Sequence, residues 1–291
     1  MHFIRPSRSR VNQDIIDILH ETPSKIKDLS VGNDYWVYRV SLPKKDVIIR
    51  YPKNKYYQKR MKTTEWVYVR ARNKGVPCPQ PIIRNNALLI ETFMPGTEIS
   101  KAQMTQDQEK KVFQQLGEIL KKMHSVSIRG FGPLGKNKGR LRSWDAFWKN
   151  AWKEHMTEAR RNKVFSANEY ASLNLFFEKR PHYYGVGKLL HADVQPAHVL
   201  VKKGRISGII DLSDAMSGDP AYDFEQLLFK AGKEKTAAAI QSHGKISRQR
   251  LSFYYLMGQI YRVVYQRKKR MSKKSLLTEI ENYTRKGYTS V

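Results

Sequence analysis

The sequence predicts an α+β chain in two parts, a small mostly antiparallel sheet with one helix and then a larger, mostly helical part. Three observations carry this expectation. Two runs rich in β-branched and aromatic residues, YWVYRV (35–40) and VIIRY (47–51), flank a turn containing Pro43, which is the pattern of a β-hairpin. The stretch PIIRNNALLIETF supplies two further short strands about Asn85-Asn86, a turn-forming pair. After Pro95-Gly96 the apolar spacing becomes helical: QDQEKKVFQQLGEILKKMHSV reads as one long amphipathic helix, and most of 141–180 and 235–285 follows it. A boundary is therefore expected there, with 1–94 as an N-terminal part and 95–291 as a C-terminal one.

The other elements follow in order. Ile15, Ile16, Ile18 and Leu19 fall at helical spacing within 11–20, so the chain opens with an amphipathic helix. A second helix carries Glu65 in MKTTEWVYVRARNKG and ends near Gly75. The glycine-rich RGFGPLGKNKGR (129–140) reads as a surface loop, and no internal repeat or low-complexity segment interrupts the pattern.

Composition narrows the function classes. At 291 residues and 40% hydrophobic content the chain can bury a large core. Its 54 Lys and Arg against 26 Asp and Glu give a net charge of +28, which attracts polyanions non-specifically. The basic residues are spread from Arg5 to Lys286, Arg267-Lys268-Lys269-Arg270 being the only dense block. No zinc-finger spacing, basic-zipper heptad or RNA-binding aromatic signature accompanies them, so no specific nucleic-acid partner is expected. The single cysteine, Cys78, excludes an intrachain disulfide and points to a reducing compartment. MHFIRPSRSR lacks the apolar core of a signal peptide, and no run approaches the roughly 18 apolar residues of a membrane span. The expectation is a cytoplasmic protein with no membrane partner.

Chemistry concentrates in two stretches. In LLHADVQPAHVLV (189–201), apolar runs enter and leave a polar segment holding His191, Asp193 and His198. A loop pinned between buried strands holds its side chains in fixed directions, as a catalytic carboxylate requires; a plain hairpin with a polar tip fits the same residues. In GIIDLSDAMSGDPAYDF (208–224), an apolar strand delivers Asp211 into a polar turn. A hairpin joining 199–201 to 209–210 and turning at Lys203-Gly204 would bring Asp193 and Asp211 to one sheet edge. Two carboxylates with a third ligand suit Mg²⁺, which prefers oxygen and shares its coordination with substrate phosphates, so phosphoryl transfer is the natural reaction class.

Together these stretches resemble the aminoglycoside/macrolide phosphotransferases, antibiotic kinases of the protein-kinase-like fold. The likeness runs from about residue 30 to 225: SVGNDYWVYRV is similar to the family's nucleotide loop, VIIRYPK to its third strand, TTEWVYV to its regulatory helix, LLIETFMPG to its hinge and LGEILKKMHSV to the helix ending in a Leu/Met-His pair. The resemblance implies a bilobal fold, 1–94 being the nucleotide-binding lobe and 95–291 the catalytic and substrate-binding lobe. It implies Asp193 as the base that accepts the acceptor's hydroxyl proton, and Asp211 as a metal ligand. His198 stands where many members have Asn, an imidazole nitrogen replacing a carboxamide oxygen. His191 is implied to be structural, as are Asp214, Asp219 and Asp223, with Asp223 capping the helix of DFEQLLF or tying down the loop. Arg50 stands where protein kinases have Lys, and Glu65 is implied as its partner; without the resemblance, the two read as a surface Arg and a solvated Glu. Gly32 and Asn33 are implied to meet the nucleotide, and main-chain groups near Glu91, Thr92 and Phe93 to meet the purine edge.

The implied cofactors are Mg²⁺ and ATP or GTP, and the implied partner is a small hydroxylated acceptor. His198, and the aromatics Trp144, Phe147, Trp148, Trp152, Tyr254, Tyr255 and Tyr261, favour a macrolide. An aminoglycoside polycation calls for clustered carboxylates, for which Asp145, Glu154 and Glu158 are the candidates. The alternatives are a metabolite kinase of the same fold, or an inactive kinase-like protein that binds anionic partners through its basic surface.

Overall fold

Ser7 accepts a hydrogen bond from the Arg10 amide and so starts helix α1 (Arg8–Leu19), Ser being a favoured cap. This is a computed structural model, which describes residues 3–31, 34–266 and 272–288. Strands β1 (Lys25–Asp28), β2 (Tyr35–Ser41) and β3 (Asp46–Pro52) follow, then helix α2 (Lys55–Arg72), then β4 (Pro81–Arg84) and β5 (Leu89–Thr92). They form an antiparallel sheet in the order β1-β2-β3-β5-β4. Alternation sorts β3 in the manner of any pleated strand. Val47, Ile49 and Tyr51 pack with Val11 and Ile15 of α1, which leaves Arg50 on the opposite face.

Two differences from the sequence expectation have local causes. Helix α2 begins well before Met61 because the Asn54 side chain accepts from the Tyr56 and Tyr57 amides. Strand β1, KIKD, has no apolar alternation of its own and is extended because it pairs with β2, Ile26 against Val40.

The rest of the chain supplies β6 (Thr97–Glu98), α3 (Gln106–His124), β7 (Phe131–Gly135), β8 (Lys138–Leu141), α4 (Trp144–Arg161), α5 (Ala167–Glu178), β9 (Lys188–Leu190), β10 (Val199–Lys202), β11 (Arg205–Ile209), β12 (Met216–Gly218), α6 (Ala221–Ala231), α7 (Lys233–His243), α8 (Arg248–Val264) and α9 (Lys273–Lys286). Two compact units result. One comprises Met1–Lys101 with His198–Ser213, the other Ala102–Ala197 with Asp214–Val291.

Within the first unit, β10 and β11 form the expected hairpin, and β6 pairs along β10. Its turn places Lys203 at φ 52° and Gly204 at φ 72°, the left-handed pair that a tight hairpin of matching twist requires.

Within the second unit the glycine-rich stretch is not a loop. It folds into the β7–β8 hairpin at one edge of a sheet ordered β8-β7-β12-β9. Its glycines permit close backbone approach: a Cβ on Gly139 would stand 2.2 Å from the Phe131 nitrogen. The helices bury an aromatic core of Trp144, Trp148, Phe176, Phe253 and Tyr254, with the Trp144 indole donating to the Tyr254 hydroxyl at 2.8 Å.

No described helix is long and apolar enough to cross a membrane. The basic block 267–270 lies outside the described residues.

Helices α3 and α7 touch through backbone. A Cβ on Gly117 would fall 1.9 Å from the Ala239 carbonyl oxygen, so Gly117→Ala forces the helices apart. Overpacking should outweigh the helix-propensity gain and cost about 1–3 kcal/mol. Thermal denaturation measures it, and a melting temperature at or above wild type would show that the approach is not needed.

Candidate active site

Strand β9 ends in Leu189 and Leu190, both 0% exposed, and delivers the chain into His191-Ala192-Asp193. Ala192 sits at φ 65°, a left-handed conformation that costs a non-glycine residue about 1–2 kcal/mol. Asp223, in the first turn of α6, holds it there. Its carboxylate accepts the His191 amide at 2.9 Å and the Ala192 amide at 2.8 Å. His124 Nε2, from α3, lies 2.9 Å from the same carboxylate, and His124 Nδ1 lies 2.9 Å from His243 Nε2 of α7. Burial alone would raise the Asp223 carboxyl, but the His124 hydrogen bond and charge, with His191 and the Ala192 amide, hold it below its ordinary value. The loop is thus clamped on an ionised anchor.

Asp193 follows with its carboxylate half-buried and accepting from Gln195 Nε2 at 3.0 Å. The Asp193 amide donates to His191 Nδ1 at 3.3 Å, the structural role implied for His191. Asp219 accepts from the Ala221 amide, Arg250 Nε and the Tyr254 hydroxyl at 3.2, 2.6 and 2.7 Å, a cap and brace for α6. Asp223 ties down the loop and does not cap its helix.

In the first unit, His198 and Asp211 flank the β10–β11 hairpin. The Ile210 amide donates to the His198 carbonyl at 2.9 Å, and His198 Nε2 stands 3.8 Å from Asp211 Oδ2. Asp211 has φ 63° and accepts from Ser213 Oγ at 2.8 Å; the Ser213 carbonyl in turn accepts from the Arg60 guanidinium of α2. A left-handed φ is uncommon outside glycine, and Asn and Asp tolerate it best.

The implied Arg50–Glu65 pair does not form. Arg50 Nε donates to Glu91 Oε1 at 2.8 Å, and Glu65 accepts from Arg84 Nε at 2.5 Å. The sheet register explains the exchange. Arg50 faces Leu89 and Ile48 faces Glu91 across β3 and β5, which makes Arg50 and Glu91 diagonal neighbours on one face. Glu91 is 1% exposed and Arg50 13%. Burial pushes the Glu91 carboxyl up against the pull of Arg50, and Asp211 pushes it further. Burial likewise opposes the Arg50 charge, but Glu91, Tyr68 and Asp211 outweigh it and hold the guanidinium protonated. Arg50, Glu91 and Asp211 thus act on one another within a single unit.

The hinge residues serve the sheet. The Thr92 amide donates to the Gln80 carbonyl at 2.9 Å and the Phe93 amide to Asp46 at 3.3 Å. Glu91 lies between two paired strands, β3 and β4. Gly32 and Asn33 lie outside the described residues.

The donor set fits Mg²⁺ in one form only. Among the described residues no group of three or more His, Cys, Asp or Glu is placed to hold a metal ion. Asp211, 38% exposed, suits an ion that takes one or two carboxylates and fills its shell with water and phosphate oxygens.

The sequence profile of the phosphotransferase enzyme family matches residues 25–253. The chain belongs to the phosphotransferase enzyme family. Relatives in sequence include the homoserine kinase of Bartonella henselae, 27% identical over 163 residues, covering 52% of this chain and 47% of that one. The homoserine kinase of Sinorhizobium medicae is 29% identical over 157 residues, covering 52% and 46%. The chain thus spans about half the length of these curated relatives. Among solved structures, the aminoglycoside phosphotransferase APH(4)-Ia superposes with TM-score 0.69 at 17% identity, covering 97% of this chain and 98% of that one. The streptomycin-ATP-APH(2")-IIa ternary complex gives TM-score 0.70 at 14% identity, covering 91% and 93%. The fold is the protein-kinase-like fold of these phosphotransferases.

The histidine line predicts an acid response. Burial first, then the charges of His124 and Lys121 against that of Asp223, lower His243 from 6.5 to about 4. The unfolded chain takes up that proton at the ordinary value while the folded one resists it, so stability is lost as pH falls through this window. Urea midpoints measured between pH about 7 and about 4.5 should fall for wild type and fall less for His243→Leu. Parallel curves would remove His243 from the account.

Proposed function

We propose that the protein is a small-molecule O-phosphotransferase that moves the γ-phosphate of ATP to an acceptor hydroxyl. The observation that carries this reading is the clamped loop: an ionised, buried Asp223 fixes the two backbone amides before Asp193, so that the carboxylate of Asp193 has one direction. A base must lie within hydrogen-bond reach of the proton it takes, and a rigid loop meets that need.

In this reading Asp193 orients the acceptor hydroxyl and takes its proton. Arg50, held charged beside Glu91, steadies the phosphates, its planar fork suiting bidentate contact. Asp211, with His198 beside it, would hold Mg²⁺. That ion, when bound, neutralises charge on the phosphate oxygens.

For the acceptor we favour a small hydroxylated metabolite, the class to which the substrate named for the homoserine kinase relatives belongs. The aromatics that favoured a macrolide are mostly core: Trp144 is 1% exposed, Trp148 6%, Tyr254 1% and Tyr255 4%. A macrolide is the second reading, resting on His198. Two of the three carboxylates that suited an aminoglycoside are engaged elsewhere, Asp145 by Arg180 and Lys149 and Glu158 by Arg161.

Turnover of ATP and GTP with Mg²⁺ across homoserine, other amino alcohols, macrolides and aminoglycosides tests the reading. Asp193→Ala should lower kcat on the order of a hundredfold or more. An unchanged rate in that variant would show that another group is the base, and no acceptor-dependent turnover in wild type would remove the phosphotransferase reading.

The ion-pair exchange makes its own prediction. Glu91→Gln, which leaves Arg50 buried without its counter-ion, should raise KM for ATP about tenfold, with Glu65→Gln close to wild type. The reverse order would mean that nucleotide binding re-pairs Arg50 with Glu65.

A further inference from the structure

Strand β8 carries a row of cations. Lys138 and Arg140 are exposed, Gly139 between them is buried, and exposed Arg142 continues the spacing just past the strand. Alternate residues of a strand share a face and stand about 7 Å apart. Across the ladder Gly135 faces Lys138, and the Arg140 side chain crosses it: a Cβ on Gly135 would stand 3.0 Å from Arg140 Nε. The turn has Lys136 at φ 50° and Asn137 at φ 64°, a two-residue form whose twist matches that of the strands. The row is therefore held on a stiff hairpin.

Its charge is not neutralised. Between Glu118 and Asp145 the chain has seven Lys and Arg and no acidic residue. Other cations of the same unit are matched: Lys149 and Arg180 to Asp145, Arg161 to Glu158, Lys235 to Glu109 and Lys273 to Glu169. Among the described residues Lys138, Arg140 and Arg142 enter no such pair. One charge on an outer strand is enough to discourage edge-to-edge pairing. Three of one sign at regular spacing do more, presenting a line of positive potential to an anionic partner.

A free ring stands beside the row. Phe131 of β7 pairs with Leu141, Tyr183 packs edge-on to Phe131 at 6.4 Å between centroids, and the next residue, Tyr184, is 91% exposed. Backbone joins the segments too, the Ile128 amide donating to the Gly187 carbonyl at 2.8 Å. A ring left in water next to a line of cations suits a partner with repeated anions and open flat faces, as a single strand of nucleic acid has. A duplex keeps its bases stacked inside. A lipid surface calls for a cluster of apolar side chains, and this face offers, among the described residues, only Val186 as an exposed aliphatic. We propose that the β7–β8 hairpin, with Tyr184, is a sequence-independent docking surface for single-stranded nucleic acid: Lys138, Arg140 and Arg142 meet successive phosphates and Tyr184 stacks on a base. Phosphate contacts carry no base identity, which agrees with the absence of a base-reading motif in the sequence. The surface shares no residue with the site proposed for phosphoryl transfer.

The test measures binding of the full-length chain, across a range of salt, to a labelled oligouridylate of about 12 residues, to a mixed-sequence duplex of the same length, and to vesicles of equal parts phosphatidylserine and phosphatidylcholine. The variant Lys138→Gln/Arg140→Gln/Arg142→Gln is compared with Lys202→Gln/Lys203→Gln/Arg205→Gln, which removes the same charge from the β10–β11 hairpin, and with Tyr184→Ala. Wild type should prefer the single strand. Each phosphate contact adds about 0.7 to the slope of log affinity against log salt for a single strand. The first triple variant should therefore flatten the slope by about 2 and bind about tenfold more weakly, with the second within about twofold of wild type. Tyr184→Ala should weaken single-strand binding about tenfold and leave the slope unchanged.

Equal losses in the two triple variants would show that the attraction belongs to net charge spread over the molecule, and would overturn the proposal. So would vesicle binding that exceeds single-strand binding and disappears in the first triple variant, which would make this face a lipid surface. A duplex bound as tightly as the single strand, with Tyr184→Ala unimpaired, would overturn the single-strand assignment. All seven positions are exposed, so thermal melts of the variants should match wild type. Tyr184→Ala removes no charge, and its result stands by itself if a triple variant unfolds.

Discussion

The structure turns on one carboxylate. Asp223 is 0% exposed, and a buried charge is tolerated only where hydrogen bonds and opposite partners replace lost water. Two backbone amides of the loop and one imidazole from α3 meet that need. The same three bonds keep Ala192 in a left-handed conformation it would not choose, so the solvation of Asp223 and the geometry of the loop are one problem with one solution. The β9 strand, the β12 strand beside it and the first turn of α6 are arranged around that solution.

A different logic holds Arg50. At 13% exposure Arg50 needs a counter-ion close at hand. Here that counter-ion is Glu91, from the adjacent strand of the same sheet, and Glu91 Oε2 is left without a partner. Because strands β3 and β5 are laddered together, the pair does not depend on where helix α2 sits. Glu65, released from that task, ties α2 to β4 through Arg84. Helix α2 still reaches the site by another route, through Arg60 on the Ser213 carbonyl, beside the Ser213 hydroxyl that binds Asp211.

Much was legible in order along the chain. The β2–β3 and β10–β11 hairpins, the α1 and α3 helices and the loop of Asp193 announce themselves because each rests on local signals: period-two alternation, apolar residues at helical spacing, and turn residues between apolar runs. Two elements did not. Strand β1 has no pattern without its neighbour, and the glycines of 129–140 look like loop because the same residues that loosen a chain also let two strands approach closely.

The sequence by itself determined the two-part α+β architecture and the carboxylates of the phosphotransferase motif, since those depend on periodicity and on residue types close together in the chain. Only the tertiary structure decided which side chains pair. The choice of Glu91 over Glu65 for Arg50 follows from strand register. The line from His243 through His124 to Asp223 joins residues that are 119 and 99 positions apart, and the spacing of α3 and α7, set where Gly117 admits the Ala239 carbonyl, brings them within hydrogen-bond reach. Distances of that kind are properties of packing, and packing is written in no single stretch of the chain.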